Sequence, residues 1–225
     1  MERALVIDHS TLIIRRAAAV VLGAIVVAAA AQVSIPLPDT PVPMTLQPMA
    51  VLLVGGLLGA RLGALSMILY LAMGAAGLPV FTPTVPLLGI ARVLGPTGGY
   101  LLAYPIAAYA TGWFSDPARK RGVQESRRGE NNSSGWVSQQ HVARVSVNPG
   151  LAPGVSEPWL RVTIGVVVGL VLIHLGGLAQ LAILTGNLAA AARFGTAPFL
   201  LGDLLKIAVL VPVLTTLTPP IRARL

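Results

Sequence analysis

Asp203 and Lys206 are the pair of residues in this sequence best suited to bind a polar solute. They are the only charged residues in the apolar stretch from Phe199 to Leu210, and a spacing of three places both on one face of a helix. An ionisable residue within a bilayer costs roughly 2.5–3.5 kcal/mol, so it normally faces the bundle interior and marks function. The spacing therefore predicts a site with one acceptor and one cation. A mutually neutralising pair that fixes helix packing is the alternative.

Two connections can cover such a site. One runs from Val33 to Pro48 and contains five prolines, which make it stiff and extended. The other runs from Gly77 to Tyr100 and includes the basic residue Arg92. We expect these connections to form a lid, although their Gly and Pro residues are also typical of simple turns.

The sequence lacks the residues that most catalytic chemistry requires. It has no cysteine, no Gly-Lys-[Ser/Thr] phosphate-binding run, and no His/Asp/Glu cluster with metal-ligand spacing. His174 stands alone on an apolar segment and is interpreted as a hydrogen-bonded packing residue. We therefore predict that the chain is not an enzyme and uses no cofactor. The alternative is a membrane enzyme built around Asp203 and His174.

The composition indicates the elements that must position these residues. Of 225 residues, 55% are hydrophobic and 11% charged, against about 25% charged in a typical soluble domain, and the mean hydropathy is +0.78. A soluble enzyme is excluded, and the fold class is all-α integral membrane. Spanning helices need about 20 apolar residues, which predicts one membrane domain over 1–225 with six spans: 17–35, 44–58, 62–78, 98–114, 159–184 and 199–217.

The basic residues orient the predicted bundle. Thirteen of the sixteen Lys and Arg residues fall on one side of it, and only Arg92 and Arg193 on the other, so both termini should be cytoplasmic. Basic loops facing anionic membrane lipid explain the net charge of +8 without nucleic acid. A signal peptide beginning at Arg15 and Arg16 is the competing interpretation of the first span. Residues 116–158 are polar, and we predict a mobile cytoplasmic loop.

Small residues four apart allow helices in lipid to approach closely. Such pairs occur at Gly55, Gly59 and Gly63 and at Gly165 and Gly169, where internal packing is the favoured interpretation. In the alanine-rich first span, Ala24 and Ala28 are predicted to dock another membrane protein.

Four motifs together resemble one family. They are Val42-Pro43-Met44-Thr45-Leu46-Gln47, Gly77-Leu78-Pro79-Val80-Phe81, Leu94-Gly95-Pro96-Thr97-Gly98-Gly99-Tyr100 and Pro198-Phe199-Leu200-Leu201-Gly202-Asp203-Leu204-Leu205-Lys206. Over residues 17–115 and 159–218 the chain resembles BioY, the biotin-binding S component of energy-coupling factor (ECF) transporters. The resemblance implies six helices in a prokaryotic plasma membrane and capture of biotin from outside. It also implies docking on a transmembrane coupling subunit that carries two cytoplasmic ATPases.

The resemblance also implies roles for individual residues. Asp203 would accept hydrogen bonds from the ureido nitrogens of biotin, and either Arg92 or Lys206 would hold its carboxylate. Thr45, Gln47 and Tyr100 would add polar contacts, and Phe81 would cover the rings. Two departures from the family are the run 82–86, where glycines are usual, and the long 116–158 segment. A solitary biotin facilitator, working without ATPases, is the alternative function.

Overall fold

The described part of the chain is mostly helical. The computed structural model describes residues 9–38, 40–116, 157–223 and 225. Eight α-helices and a short 3₁₀ turn (Ala197–Phe199) lie within these residues. The α-helices are α1 (His9–Gln32), α2 (Gln47–Leu58), α3 (Ala60–Ala75), α4 (Ile90–Leu94), α5 (Gly98–Phe114), α6 (Glu157–Thr185), α7 (Leu188–Gly195) and α8 (Leu200–Arg222).

Within the described residues, three helical runs are long and apolar enough to cross a membrane: Ser10–Gln32, Pro158–Thr185 and Leu188–Arg222, which joins α7 to α8. The chain is therefore an α-helical membrane protein, as its composition predicts. Helices α2 and α3 have only 12 and 16 residues, or about 18 and 24 Å, less than the roughly 30 Å of bilayer hydrocarbon. The number of six spans stays a prediction.

The first connection is more ordered than its prolines suggest. Ser34 pairs with Thr45, and Ile35 with Met44, to form two short antiparallel strands, β1 (Ser34–Ile35) and β2 (Met44–Thr45). The first predicted span therefore ends at residue 32 rather than 35, and the second begins at residue 47 rather than 44. The pairing satisfies backbone groups that a proline-rich segment cannot satisfy as helix.

The connections alternate between the two ends of the bundle. At one end, Arg222 donates to the carbonyl oxygens of Gly56, Leu57 and Gly112, at 2.6, 3.3 and 2.9 Å respectively. Arg16 lies at the same end, where its Nε donates to the Leu225 carbonyl oxygen. The proline-rich connection, α4 and α7 lie at the other end. The number of membrane crossings and the side on which the termini lie both stay predictions.

Small residues bring the helices close together inside the bundle. A Cβ on Gly63 would lie 2.7 Å from the Gly55 Cα, and one on Gly55 would collide with the backbone of Ala108. A Cβ on Gly165 would meet Phe114 at 2.7 Å. These glycines are therefore packing residues within the chain. Most of the predicted 116–158 loop lies outside the described residues.

Candidate functional site

Three ionisable side chains meet where α6 packs against α8. The Nζ of Lys206 donates to Oδ1 of Asp203 at 2.7 Å, and Nε2 of His174 lies 2.5 Å from Oδ2 of the same carboxylate. Asp203 and Lys206 are 6% and 8% exposed. The predicted pair therefore exists, and His174 adds a second partner on a different helix.

The start of α8 places the carboxylate. Pro198 and Phe199 form a single 3₁₀ turn that leads into the helix, so Asp203 lies in its first turn. There the backbone amides without intrahelical partners favour a negative charge. The sequence thus positions an anion at the N-terminal end of α8, about one turn before Lys206.

A cavity opens beside this cluster. It has about 590 Å³ of empty space, counting the part open to solvent. Its walls are mainly apolar with a few convergent polar groups. They are formed by Val42, Pro43, Thr45, Gln47, Pro48, Thr82, Arg92, Thr97, Tyr100, Leu101, Tyr104, Leu170, Ile173, His174, Phe199, Asp203 and Lys206.

Arg92 is the most deeply buried charge in the wall, at 1% exposed. Its Nη1 donates to the Val85 carbonyl oxygen at 2.7 Å, whereas its Nε has no hydrogen-bond partner. Burial lowers the pKa of this guanidinium below its ordinary value, partly offset by Tyr70 and Tyr104, but an arginine stays protonated. Among the described residues no carboxylate pairs with it. It is therefore a cation without a counterion from the described chain.

Gln180 on α6 holds the short helix that carries Arg92. Its Nε2 donates to the carbonyl oxygens of Val93 and Gly95, at 3.1 and 2.7 Å. These carbonyls lie at the C-terminal end of α4, where helix carbonyls lack intrahelical partners. Arg92 is thus anchored to the same helix that presents His174.

Gln47 enters the cavity from the first turn of α2. Its Nε2 donates to the Tyr70 hydroxyl at 2.5 Å, and that hydroxyl donates to the Val80 carbonyl oxygen at 3.2 Å. Thr45 lies beside it, with Oγ1 3.3 Å from the Gln47 side-chain oxygen. This chain of hydrogen bonds fixes one polar wall to the connection after α3.

Tyr100 joins the cavity to α7. Its hydroxyl donates to the Gly195 carbonyl oxygen at 2.5 Å, and its ring packs where Gly177 has no side chain. Thr40 in the proline-rich connection donates to the Phe194 carbonyl oxygen at 2.6 Å. The first contact joins α7 to a residue that lines the cavity, and the second joins α7 to the proline-rich connection.

The cavity gathers six of the seven side chains predicted to bind a ligand: Asp203, Lys206, Arg92, Thr45, Gln47 and Tyr100. Phe81 is not among the lining residues. Its ring packs edge-on against Tyr70 and fills the space left by Gly74. That Phe81 covers the ligand rings stays a prediction, and in this structure the ring packs in the core because Gly74 on α3 has no side chain.

The two alanines predicted to dock a partner lie on the inner side of α1. Ala24 is 0% exposed and belongs to the core, while Ala28 is partly buried against it. A Cβ on neighbouring Gly23 would meet Ser66 and Val54, so this row of small residues packs on α2 and α3. For Ala24 the docking prediction needs correction: a side chain enclosed by its own bundle is not available to a partner.

The sequence prediction missed His174, Thr97, Thr82, Tyr104 and Phe199 as cavity residues. His174 is hydrogen-bonded, as expected, but it lines the cavity rather than only packing. A lone ionisable residue on an apolar span was a usable signal. No group of three or more His, Cys, Asp or Glu that could hold a metal occurs within the described ranges.

The family comparison agrees with the motifs. The model of the BioY family matches residues 2–223. The chain belongs to the BioY family.

Relatives in the BioY family support the same assignment. The "Biotin transporter BioY" of Rhizobium etli is 30% identical over 75% of this chain and 74% of its own length. The "Probable biotin transporter BioY" of Pyrococcus horikoshii is 51% identical over 32% of this chain. That match spans only 43% of the relative's length. These relatives are named as transporters, not enzymes, which confirms the prediction that the chain is not an enzyme.

A solved structure shares the fold. A 2.1 Å crystal structure described as the S-component for biotin from an ECF-type ABC transporter matches with a TM-score of 0.67, covering 92% of both chains at 23% identity. The likeness establishes an S-component fold for this chain, and the predicted ECF S-component-like bundle agrees with it.

Proposed function

We propose that this protein captures biotin from outside the cell and mediates its uptake across the plasma membrane of a prokaryote. The observation that carries the proposal is the cavity in which Asp203, Lys206 and His174 form one polar cluster and Arg92 supplies a separate cation. Relatives named biotin transporters support the choice of ligand.

The polarity of the cavity fits the chemistry of biotin. Biotin has a neutral ureido ring with two N–H donors, an apolar thioether ring and a carboxylate tail. Asp203 accepts from the ureido nitrogens, in charge-assisted bonds strengthened by the low local dielectric. The apolar wall, including Leu170 and Ile173, receives the thioether ring.

Arg92 is the better candidate for the biotin carboxylate. Lys206 already donates to Asp203, whereas Arg92 is buried with an unpartnered Nε. Its planar guanidinium also matches a carboxylate in geometry. The choice between the two cations, which the sequence left open, therefore favours Arg92.

A comparison of biotin with biotinamide tests this assignment. Wild-type protein should prefer biotin by about 10- to 150-fold, from the 1.5–3 kcal/mol of a hydrogen bond to a charged group. Titration calorimetry on Arg92→Met should show that this preference has disappeared. The matched control is Lys206→Met, which should keep it. Loss of the preference in the Lys206 variant alone would assign the carboxylate to Lys206 instead.

We also propose that transport requires an ECF module: a transmembrane coupling subunit and two cytoplasmic ATPases. The sequence has no phosphate-binding Gly-Lys-[Ser/Thr] run, and the structural neighbour is described as part of an ECF-type transporter. The outer surface of α1 offers an exposed face for docking that includes Leu22, Ile25 and Ala29. Ala28 lies at its border.

Biotin uptake by the reconstituted protein distinguishes transport that requires an ECF module from transport by this protein alone. Ala29→Trp, on the exposed face of α1, should reduce ATP-dependent uptake while biotin binding stays intact. Ala24→Trp is the matched control, and it should impair both because Ala24 lies in the core. Biotin uptake by the protein alone, without coupling subunit or ATPases, would contradict the ECF proposal and favour a facilitator.

A further inference from the structure

We propose that His174 is a positioning residue of the ligand site, which fixes the Asp203 carboxylate for recognition of neutral N–H donors. The inference rests on the proposed biotin site. His174 lies on α6, 29 positions before Asp203, so only the packing of α6 against α8 brings them together. Its ring also lies beside two other cavity residues, Tyr100 and Phe199, with centroids 6.4 and 6.3 Å away.

The carboxylate is held at both oxygens. Lys206 contacts Oδ1 from the same helix, and His174 contacts Oδ2 from the neighbouring helix. Lys206 alone would leave the carboxylate plane free to turn about Cβ–Cγ, because it is a single flexible ammonium three residues away. With two partners on different helices, the lone pairs that remain have a fixed direction.

The direction of the His174–Asp203 hydrogen bond follows from the chemistry of the carboxylate. An ionised carboxylate only accepts hydrogen bonds, so Nε2 carries the proton and donates to Oδ2. Nδ1 is buried and has no hydrogen-bond partner. Asp203 and Lys206 form an ion pair of zero net charge, to which the imidazole N–H adds a second hydrogen bond.

A neutral, rigid cluster suits a neutral ligand group. Fixing an acceptor before binding lowers the ordering cost of association, and sites held loosely lose affinity. The ureido ring of biotin carries no charge, so binding it disturbs no charge balance in the buried pair. His174 thus contributes to affinity through Asp203 rather than by direct contact with the ligand.

Three substitutions of His174 test this role by calorimetric biotin titration. His174→Phe keeps a ring beside Tyr100 and Phe199 but removes the donor, and should weaken biotin binding about tenfold. His174→Gln places an amide N–H at the reach of Nε2, and should stay within about threefold of wild type. His174→Asn is shorter than His174→Gln and should behave like the Phe variant. Thermal unfolding of each variant reports its fold.

A double-mutant comparison distinguishes positioning from packing. In an Asp203→Asn background, His174→Phe should cause little further loss, because the carboxylate that it positions is absent. The inference would be overturned if His174→Phe bound biotin as tightly as wild type, or if His174→Gln bound as weakly as His174→Phe. It would also be overturned if the losses of affinity from His174→Phe and Asp203→Asn were fully additive. If His174→Phe does not fold, the comparison of His174→Gln with His174→Asn takes its place: tight binding by the Gln variant and weak binding by the Asn variant supports the inference, and equal affinities overturn it. Absence of biotin binding by wild-type protein would instead contradict the proposed function itself.

Discussion

Replacing Asp203 by Asn probes the acceptor at the centre of the site. The substitution keeps the size of the side chain but removes its charge, which removes one charge-assisted hydrogen bond from a ligand N–H. Hydrogen bonds to charged groups contribute about 1.5–3 kcal/mol. The expected loss of biotin affinity is therefore about 10- to 150-fold, measured by calorimetry on the purified protein.

The same substitution also affects the fold, and the two effects can be separated. Lys206 is 8% exposed, and the substitution would remove the counterion that lies 2.7 Å from its ammonium. Breaking a buried ion pair from one side costs about 3–5 kcal/mol of stability. Asp203→Asn combined with Lys206→Met removes the unpaired charge, so thermal stability should recover.

Biotin affinity should remain low in that double variant, because the acceptor is still missing. Recovery of affinity together with stability would mean that Asp203 serves the fold alone. Unchanged affinity in a folded Asp203→Asn single variant would refute its role in binding and leave it as the packing partner of Lys206.

Three further predictions concern the residues that hold the helices together around the site. Gly63→Ala should lower the unfolding temperature in detergent because its Cβ would lie 2.7 Å from the Gly55 Cα, whereas Gly202→Ala, whose Cβ meets only Met44 at 3.7 Å, should not. Arg222→Met should destabilise the protein by at least about 1.5–3 kcal/mol through lost bonds to three carbonyls, with biotin affinity unchanged. Exposed Arg16→Met is its control, and equal unfolding temperatures for the two would contradict this role. Tyr100→Phe loses one hydrogen bond to Gly195, about 1 kcal/mol, and should weaken binding about fivefold; full affinity in this variant would mean that the bond does not support the cavity.

Hydropathy and residue spacing were enough to predict most of the helices that surround the site. The observed α5 coincides with the predicted 98–114 segment, because apolar length alone defines a helix in lipid. The pairing of Asp203 with Lys206 was also predictable, since residues three apart on one helix face are neighbours whatever surrounds them. Motif positions in both connections led to Arg92, Gln47 and Tyr100, which the fold brings to one cavity.

The remaining features depend on how helices pack, which spacing does not define. His174 meets Asp203 only through the contact of α6 with α8. Phe81 turns into the core because Gly74 leaves room for its ring. Ala24 shows the same limit, because a small residue allows close approach equally to a helix of its own chain and to a partner. In this structure Ala24 packs against helices of its own chain.

Direct binding of biotin by the purified, full-length protein tests the central claim. Native mass spectrometry in detergent, with riboflavin and thiamine as competing vitamins, should show one biotin retained per protein and neither competitor. Calorimetry should give a high affinity, as capture of a scarce vitamin requires, and the affinity should fall in Asp203→Asn. Retention of another vitamin with no binding of biotin would contradict the account.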